Sequence, residues 1–459
     1  MTMTFSVGGR HAVVAGGGRS GLAAVDLLIA RGARVTLSDV RAPADADRLR
    51  ARGVAVEVGP HRPEVFAAAD LVVLSPGVSP DQDAMDAARR AGVPVMGEIE
   101  LASRWLSGRV IAITGTKGKS TTTTLTARML QEAGFDAPAG GNLGTALSTQ
   151  VANSHPATIH VIEASSFQLE TTDTFHPWIA ALLNLSPDHL DRHPTFESYA
   201  GAKARIFANQ TADDWAVVNA DDAPAVALAG GGRARRFDFA LDAPLQDGVT
   251  VDGDAIVRRD AGRSAPLLPL SAVRLPGRHL LGDVLAAAAI GCLAGVPPPA
   301  MQRAVEGFAG LPHALERVGE IAGVAFVNDS KATNIASARR ALESFETGVV
   351  AIMGGRYKGG DFRDLREAVR AHGTAIVAIG EAAPLIADAL GDVVPVRRAL
   401  SMPDAVGEAF ELAAPGGTVL LAPACSSFDM FADYADRGDR FREAVTALRG
   451  PAGPEGLRR

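Results

Sequence analysis

The chain has 459 residues, 47% of them hydrophobic and 21% charged, and a net charge of −7. That length suggests roughly two to four domains, the composition is that of an ordinary globular protein, and without a basic excess nucleic acid is not an expected partner. Two cysteines, Cys292 and Cys425, form neither a disulfide framework nor a zinc-ligand spacing, which points to a reduced, cytoplasmic compartment.

The N-terminus lacks a basic stretch followed by an apolar core and a cleavage site, so no targeting segment is expected. The first elements are "HAVVA", a glycine turn, a helix of 3.6-residue periodicity to Ala30, and the strand "RVTLSD" ending at Asp39. This is a βαβ unit. "LVVLSPGVSP" reads as a strand ending in a Ser75-Pro76-Gly77 turn, followed by the helix "DQDAMDAARRAG" and the strand "VPVMG". Alternating strands and helices imply a parallel, doubly wound sheet. Gly16, Gly18 and Gly21 have GxGxxG spacing with Asp39 ending the next strand, a pattern that serves NAD or any other diphosphate-bearing ligand. The domain is closed at Gly97.

The second segment opens on "EIELASRW" and the strand "RVIAIT", then "GTKGKSTT". Gly115 and Gly118 let backbone N–H groups approach phosphate oxygens, and the following helix turns its N-terminus toward them. Thr116 and Lys117 complete the loop, Lys119 reaches terminal phosphates, and Ser120 or Thr121 can ligate Mg²⁺. "IHVIEASSFQLE", "IAALLNLSPDHLDRH" and "WAVVNADD" end strands in polar groups, among them Glu163, Asp188 and His189. Carboxylates beside a triphosphate site suit Mg²⁺. Lys203, alone, reads as a surface lysine on a helix. Residues 233–279 carry short β-like runs and are expected as an antiparallel addition to the sheet. The apolar run "LLGDVLAAAAIGCLAGV" contains Asp283 and falls short of the roughly 20 residues of a membrane span. It reads as a buried helix, and no membrane partner is expected.

The third segment, from residue 311, has strands in "GVAFVN", "GVVAIMGG", "TAIVAIG" and "GTVLLAPA". Polar loops follow three of them: "NDSKATN", "GGRYKGGDF" with Lys358, and "PACSSFD" with Ser427. Together they suit an anionic substrate. The tail "GPAGPEGLRR" is expected to be disordered. The fold class is therefore α/β in three domains: a Rossmann-like domain over 1–97, a central P-loop ATPase-like parallel sheet with an antiparallel addition over 98–310, and a Rossmann-like domain over 311–459.

"GTKGKSTT", "EASSFQLE", "LNLSPDHLDRH", "NDSKATN" and "PACSSFDMFADYADRGDRF", in this order, resemble the Mur ligases over nearly the whole chain. The shortened GxxGKS loop is typical of that superfamily, which includes folylpolyglutamate synthase. The pattern is most similar to the branch that joins D-glutamate to UDP-N-acetylmuramoyl-L-alanine, which implies an ATP- and Mg²⁺-dependent cytoplasmic enzyme of peptidoglycan precursor synthesis, taken here to be a monomer. By this resemblance Gly18, Arg19, Ser20, Asp39, Arg41 and Gly77 hold the uridine diphosphate. Ser120 and Glu163 serve one Mg²⁺; His189 and a Lys203 carbamylated by CO₂ serve another. Asn142 lies near the ATP and substrate phosphates, Asp329 and Lys331 contact the nucleotide, and Thr333, Lys358, Ser427 and Tyr434 frame the D-glutamate carboxylates. Lys119, His189 and Lys203 are the expected catalytic set. Three positions depart from the family pattern: Leu280 and Asp283 stand where asparagines are usual, Asp283 facing adenine, and Ala314 follows His313 where an arginine is usual, so that a cationic contact to the nucleotide is either lost or supplied by Arg317. A sister ligase adding L-glutamate or another amino acid, an NAD-dependent oxidoreductase and a non-catalytic nucleotide switch are the competing readings.

Overall fold

The computed structural model describes residues 5–43, 45–189, 192–274, 278–357 and 359–449. Its described chain forms two compact units, one running to Arg274 and taking in His279–Gly307, the other running from Phe308. Lys358 and the tail from residue 450 lie outside the described residues.

The first unit holds two sheets. One contains β1 (His11–Ala15), β2 (Arg34–Asp39), β3 (Ala55–Val58), β4 (Leu71–Leu74) and β5 (Val95–Gly97), in the order β3-β2-β1-β4-β5. All its pairings are parallel. β4 reads LVVL and is buried throughout, as expected of a strand covered on both faces. The strand order reverses between β1 and β4, the crevice where ligands bind in such sheets. β3, with its half-exposed AVEV run, carries too weak an apolar signal to stand out in the sequence.

The second sheet contains β6 (Arg109–Thr114), β7 (Ala139–Gly141), β8 (Ile159–Glu163), β9 (Ile179–Leu182), β10 (Trp215–Asn219), β11 (Arg235–Phe239), β12 (Gly248–Asp252), β13 (Ala255–Asp260) and β14 (Arg263–Pro269). Their order is β14-β13-β12-β11-β10-β9-β6-β8-β7. The expected antiparallel addition is smaller than residues 233–279: β11 and β12 still pair in parallel, and only β12–β13 and β13–β14 are antiparallel. The Gly253 turn, at φ +61°, makes the first reversal. The apolar run before residue 295 is a helix, Arg278–Ala294, whose Val284–Ile290 stretch is fully buried. Among the described residues no helix is long and apolar enough to cross a membrane.

The second unit holds one sheet: β15 (Glu316–Ile321), β16 (Val324–Asn328), β17 (Val349–Gly354), β18 (Gly373–Ile379), β19 (Val396–Arg398) and β20 (Thr418–Leu421), ordered β15-β16-β20-β17-β18-β19. β15 pairs antiparallel with β16 and the other pairings are parallel. Apolar clusters lie on both faces of β17 and β20, so the polar loops after these strands project from a rigid base.

Candidate active site

The loop after β6 enters the helix Lys119–Glu132 through Gly118, at φ +81°. A Cβ there would also run into the Asp283 carboxyl. The loop is held from below by Asn184, whose Oδ1 accepts the N–H groups of Thr116 (3.1 Å) and Lys117 (2.8 Å) while its amide donates to the Lys117 carbonyl. Thr116 Oγ1 donates to the Ser186 carbonyl and accepts the Tyr199 hydroxyl at 3.1 Å. With the Thr116 and Lys117 N–H groups taken up by Asn184, the turn is fixed before any phosphate arrives.

Lys119 Nζ folds onto the Thr116 carbonyl at 3.0 Å, and Lys117 pairs with Asp188 at 3.0 Å. Burial works to raise the Asp188 carboxyl, but the Lys117 ammonium and the His189 N–H outweigh it and hold the pKa low. Ser120 Oγ donates to Glu163 Oε2 at 2.6 Å, and the Asn142 side-chain amide donates to Glu163 Oε1, also at 2.6 Å. Glu163 is buried at the end of β8. The structure thus joins Ser120, Glu163 and Asn142 in one cluster. Their oxygen donors fit a hard divalent cation such as Mg²⁺.

Lys203 is not the surface lysine that its helical setting suggested. It is 1% exposed, because its helix (Phe196–Ala204) packs this face toward the phosphate loop. Its Nζ donates to the Gly115 carbonyl at 2.8 Å and lies 4.7 Å from the centre of the Tyr199 ring. Burial, then the charge of Lys119, drives its pKa well below the usual lysine value. His189 is exposed, with a left-handed backbone at φ 55° and its ring 4.9 Å from that of Phe167. Among the described residues no three His, Cys, Asp or Glu side chains converge as a ready metal site. Asp283 contacts the loop at Gly118, with Thr121 hydrogen-bonded to it; burial pushes its pKa well above that of an ordinary aspartate. Leu280 is partly buried on the same helix.

In the first sheet, Gly18 caps the helix that begins with Arg19 and Ser20, and Gly77 is exposed after β4. These residues lie on either side of the strand reversal. Gly21 allows the close approach behind them, since a Cβ there would strike the Gly16 carbonyl. Asp39 accepts the N–H of Gly17 at 2.5 Å through one oxygen and that of Arg41 at 2.8 Å through the other, so it ties the glycine turn after β1 to the loop after β2. Arg41 is exposed beside it. Arg19 Nη2 donates to the Asn142 carbonyl at 3.1 Å, a contact that sequence spacing could not reveal.

In the second unit, Asp329 Oδ1 accepts the Leu315 N–H, and burial pushes its pKa up to about 7. Lys331 and Thr333 follow in the same loop, with the Thr333 N–H donating to the Lys331 carbonyl at 2.8 Å. Ser427 is buried and Tyr434 exposed, at the start of the helix Tyr434–Leu448. Arg317 pairs with Glu320 on the exposed side of β15, and the His313 ring lies 6.2 Å from that of Tyr434.

Sequence reading missed three residues. Asn184 and Tyr199 were hidden because they act on the loop through backbone and hydroxyl contacts. Arg437, on the last helix, is fully buried without a carboxylate partner among its hydrogen bonds: it donates to Ser330 Oγ (2.9 Å), the Ser330 carbonyl (2.9 Å) and the Cys425 carbonyl (3.1 Å). It thereby ties the loop after β16 to the loop after β20, and burial lowers its pKa to about 10. The only signal was an arginine on an otherwise buried helix face.

Three families of domain match the chain in order: "Mur ligase MurD-like, N-terminal domain" over residues 10–97, "Mur ligase middle domain" over 113–291, and "Mur ligase, glutamate ligase domain" over 315–425. A protein of Acidobacterium capsulatum named UDP-N-acetylmuramoylalanine–D-glutamate ligase is 45% identical over 450 residues, covering 97% of this chain and 98% of its own. One of the same name from Geobacter metallireducens is 43% identical, over 96% and 98%. The crystal structure of UDP-N-acetylmuramate-alanine ligase MurC from Thermotoga maritima shares the fold, with TM-score 0.60 and 19% identity over 96% of this chain and 99% of that one.

Proposed function

We propose that this chain, which belongs to the Mur ligase family, is the ATP-dependent ligase that joins D-glutamate to UDP-N-acetylmuramoyl-L-alanine. What carries the reading is its similarity, over almost its whole length, to proteins named for that reaction. An ATP-consuming enzyme with a UDP-linked substrate belongs in the cytoplasm, where both are made.

The chemistry follows from the substrate. A carboxylate is a poor electrophile. Transfer of the ATP γ-phosphoryl group to a carboxylate oxygen gives an acyl phosphate and ADP. The D-glutamate amine then attacks the carbonyl carbon, loses a proton, and the tetrahedral intermediate expels phosphate with the bonding electron pair. The N-terminus of the helix that follows the Gly115–Gly118 turn would meet the phosphates through backbone N–H groups, while Asn184 holds those of Thr116 and Lys117. Lys119 swings from the Thr116 carbonyl to offset phosphate charge. Ser120 and Glu163 would hold Mg²⁺, which when bound neutralises phosphate oxygens. Burial lowers the Lys203 pKa and so favours its neutral amine, the form that would add CO₂ to give a carbamate and a proton. The anionic product turns a group that would repel a cation into one that, with His189, could hold it. Gly18, Arg19, Ser20, Arg41 and Gly77 would bind the uridine diphosphate, with Asp39 ordering their loop. Asp329 and Lys331 would meet the nucleotide, and Thr333, Lys358, Ser427 and Tyr434 the two carboxylates of the amino acid, with Lys358 as a cation suited to them.

The test is phosphate release from ATP with UDP-N-acetylmuramoyl-L-alanine and a panel of amino acids. Release that depends on D-glutamate supports the reading. Release only with L-glutamate or a diamino acid moves the chain to a sister ligase.

A further inference from the structure

We propose that Arg19 is a positioning residue that couples occupancy of the first-sheet pocket to the phosphate and metal ligands Ser120 and Glu163. The inference rests on the reading that this pocket takes the diphosphate-bearing substrate.

Arg19 is the first residue of the helix Arg19–Ala30 and is exposed at the strand reversal of the first sheet. Its guanidinium reaches across 123 residues of sequence to the Asn142 carbonyl, at 3.1 Å. Asn142 is fastened to Glu163 twice: its N–H donates to the Glu163 carbonyl at 2.9 Å and its side-chain amide to Oε1 at 2.6 Å. The other carboxylate oxygen accepts Ser120 Oγ at 2.6 Å. An unbroken run of hydrogen bonds therefore joins the substrate side of the unit to the first turn of the phosphate-binding helix.

The terminus of this run at Arg19 is adjustable, and its other end is not. Glu163 is 3% exposed and fixed at the end of β8, whereas Arg19 is on the surface. The bond to Asn142 uses one of the guanidinium's five N–H donors. A diphosphate in the pocket gives the others stronger, charge-assisted acceptors. Arg19 also acts electrostatically on Glu98, a buried carboxyl whose Oε2 has no hydrogen-bond partner. With substrate bound, Arg19 is pinned, the Asn142 carbonyl is held with it, and the Asn142 amide keeps the Glu163 carboxylate turned toward Ser120. The nucleotide site is thus completed when the first substrate is in place, which restrains ATP hydrolysis without an acceptor.

The experiment measures binding. The affinity of the protein for the Mg²⁺ complex of β,γ-methylene-ATP is determined by calorimetry, with and without saturating UDP-N-acetylmuramoyl-L-alanine. The wild-type protein should bind the analogue about 5-fold or more tightly with the substrate present, within the usual span of coupling between sites. In Arg19→Ala, at substrate concentrations that again saturate, the ratio should fall to about 1-fold. Arg19→Lys, which keeps a donor, should retain part of it, and Asn142→Ala should lose it although Arg19 is intact. An Arg19→Ala or Asn142→Ala protein that keeps the wild-type ratio overturns the coupling, as does a wild-type protein that binds both ligands independently. A wild-type protein that does not bind the UDP-linked substrate at all overturns the proposed function, and the coupling with it.

Discussion

Replacing Gly118 by alanine strains the phosphate loop in two separable ways. The residue sits at φ +81°, and a left-handed backbone costs a non-glycine residue about 1–2 kcal/mol. The new Cβ also runs into the Asp283 carboxyl, which is 7% exposed and hydrogen-bonded to Thr121. Forcing such a group aside costs about 1–3 kcal/mol. Together these give about 2–5 kcal/mol. The assay is a double-mutant cycle with Asp283→Ala, read from urea unfolding of the larger unit. Removing the obstructing carboxyl should recover about 1–3 kcal/mol of the Gly118→Ala loss and leave the backbone part. If the two substitutions add to within about 0.5 kcal/mol, the side chains do not meet as described, and the account of this loop is wrong.

Two further predictions concern carboxyl groups of opposite behaviour. Glu100 is fully buried and accepts the Thr174 hydroxyl at 2.6 Å, the N–H groups of Asp173 (2.9 Å) and Phe175 (3.0 Å), and Arg104 at 2.7 Å. Burial works to raise its pKa, but these partners prevail and lower it, so its stabilisation is present above the usual glutamate range and is lost as pH falls through the lower folded value. Glu100→Ala should cost about 3–5 kcal/mol at pH 7, and the gap from wild type should narrow in acid; a gap unchanged at pH 3 would contradict this. Asp329 is only partly exposed as a residue and its carboxyl is enclosed, so burial raises its pKa to about 7. The folded second unit therefore favours the protonated form, and stability falls as pH rises from the usual aspartate value through about 7. Asp329→Asn should flatten the urea midpoint of that unit across this window, and a slope equal to wild type would refute it.

Where strands carried continuous apolar runs ending in glycine or a polar cluster, the sequence was informative. "RVIAITGTKGKS" specified β6, its loop and the following helix, because a buried parallel strand and a phosphate turn each have strong local signatures. Short or half-exposed strands such as β3, β15 and β19 lacked that contrast. The contacts that organise the site are mostly long-range. Nothing local tells that Lys203 is buried under the phosphate loop, that Asn184 clamps the loop from just past the neighbouring strand, or that Arg437 joins two loops of the third sheet. Each depends on which strands become neighbours, a property of the whole sheet.

The central claim is that a substrate carboxylate is activated as an acyl phosphate before D-glutamate attacks. It is tested most directly by supplying UDP-N-acetylmuramoyl-L-alanine labelled with ¹⁸O in its carboxylate, together with ATP and D-glutamate. The account predicts that the released phosphate carries one labelled oxygen, that the peptide product retains the other, and that release requires D-glutamate. Unlabelled phosphate, or release indifferent to the amino acid, would contradict it.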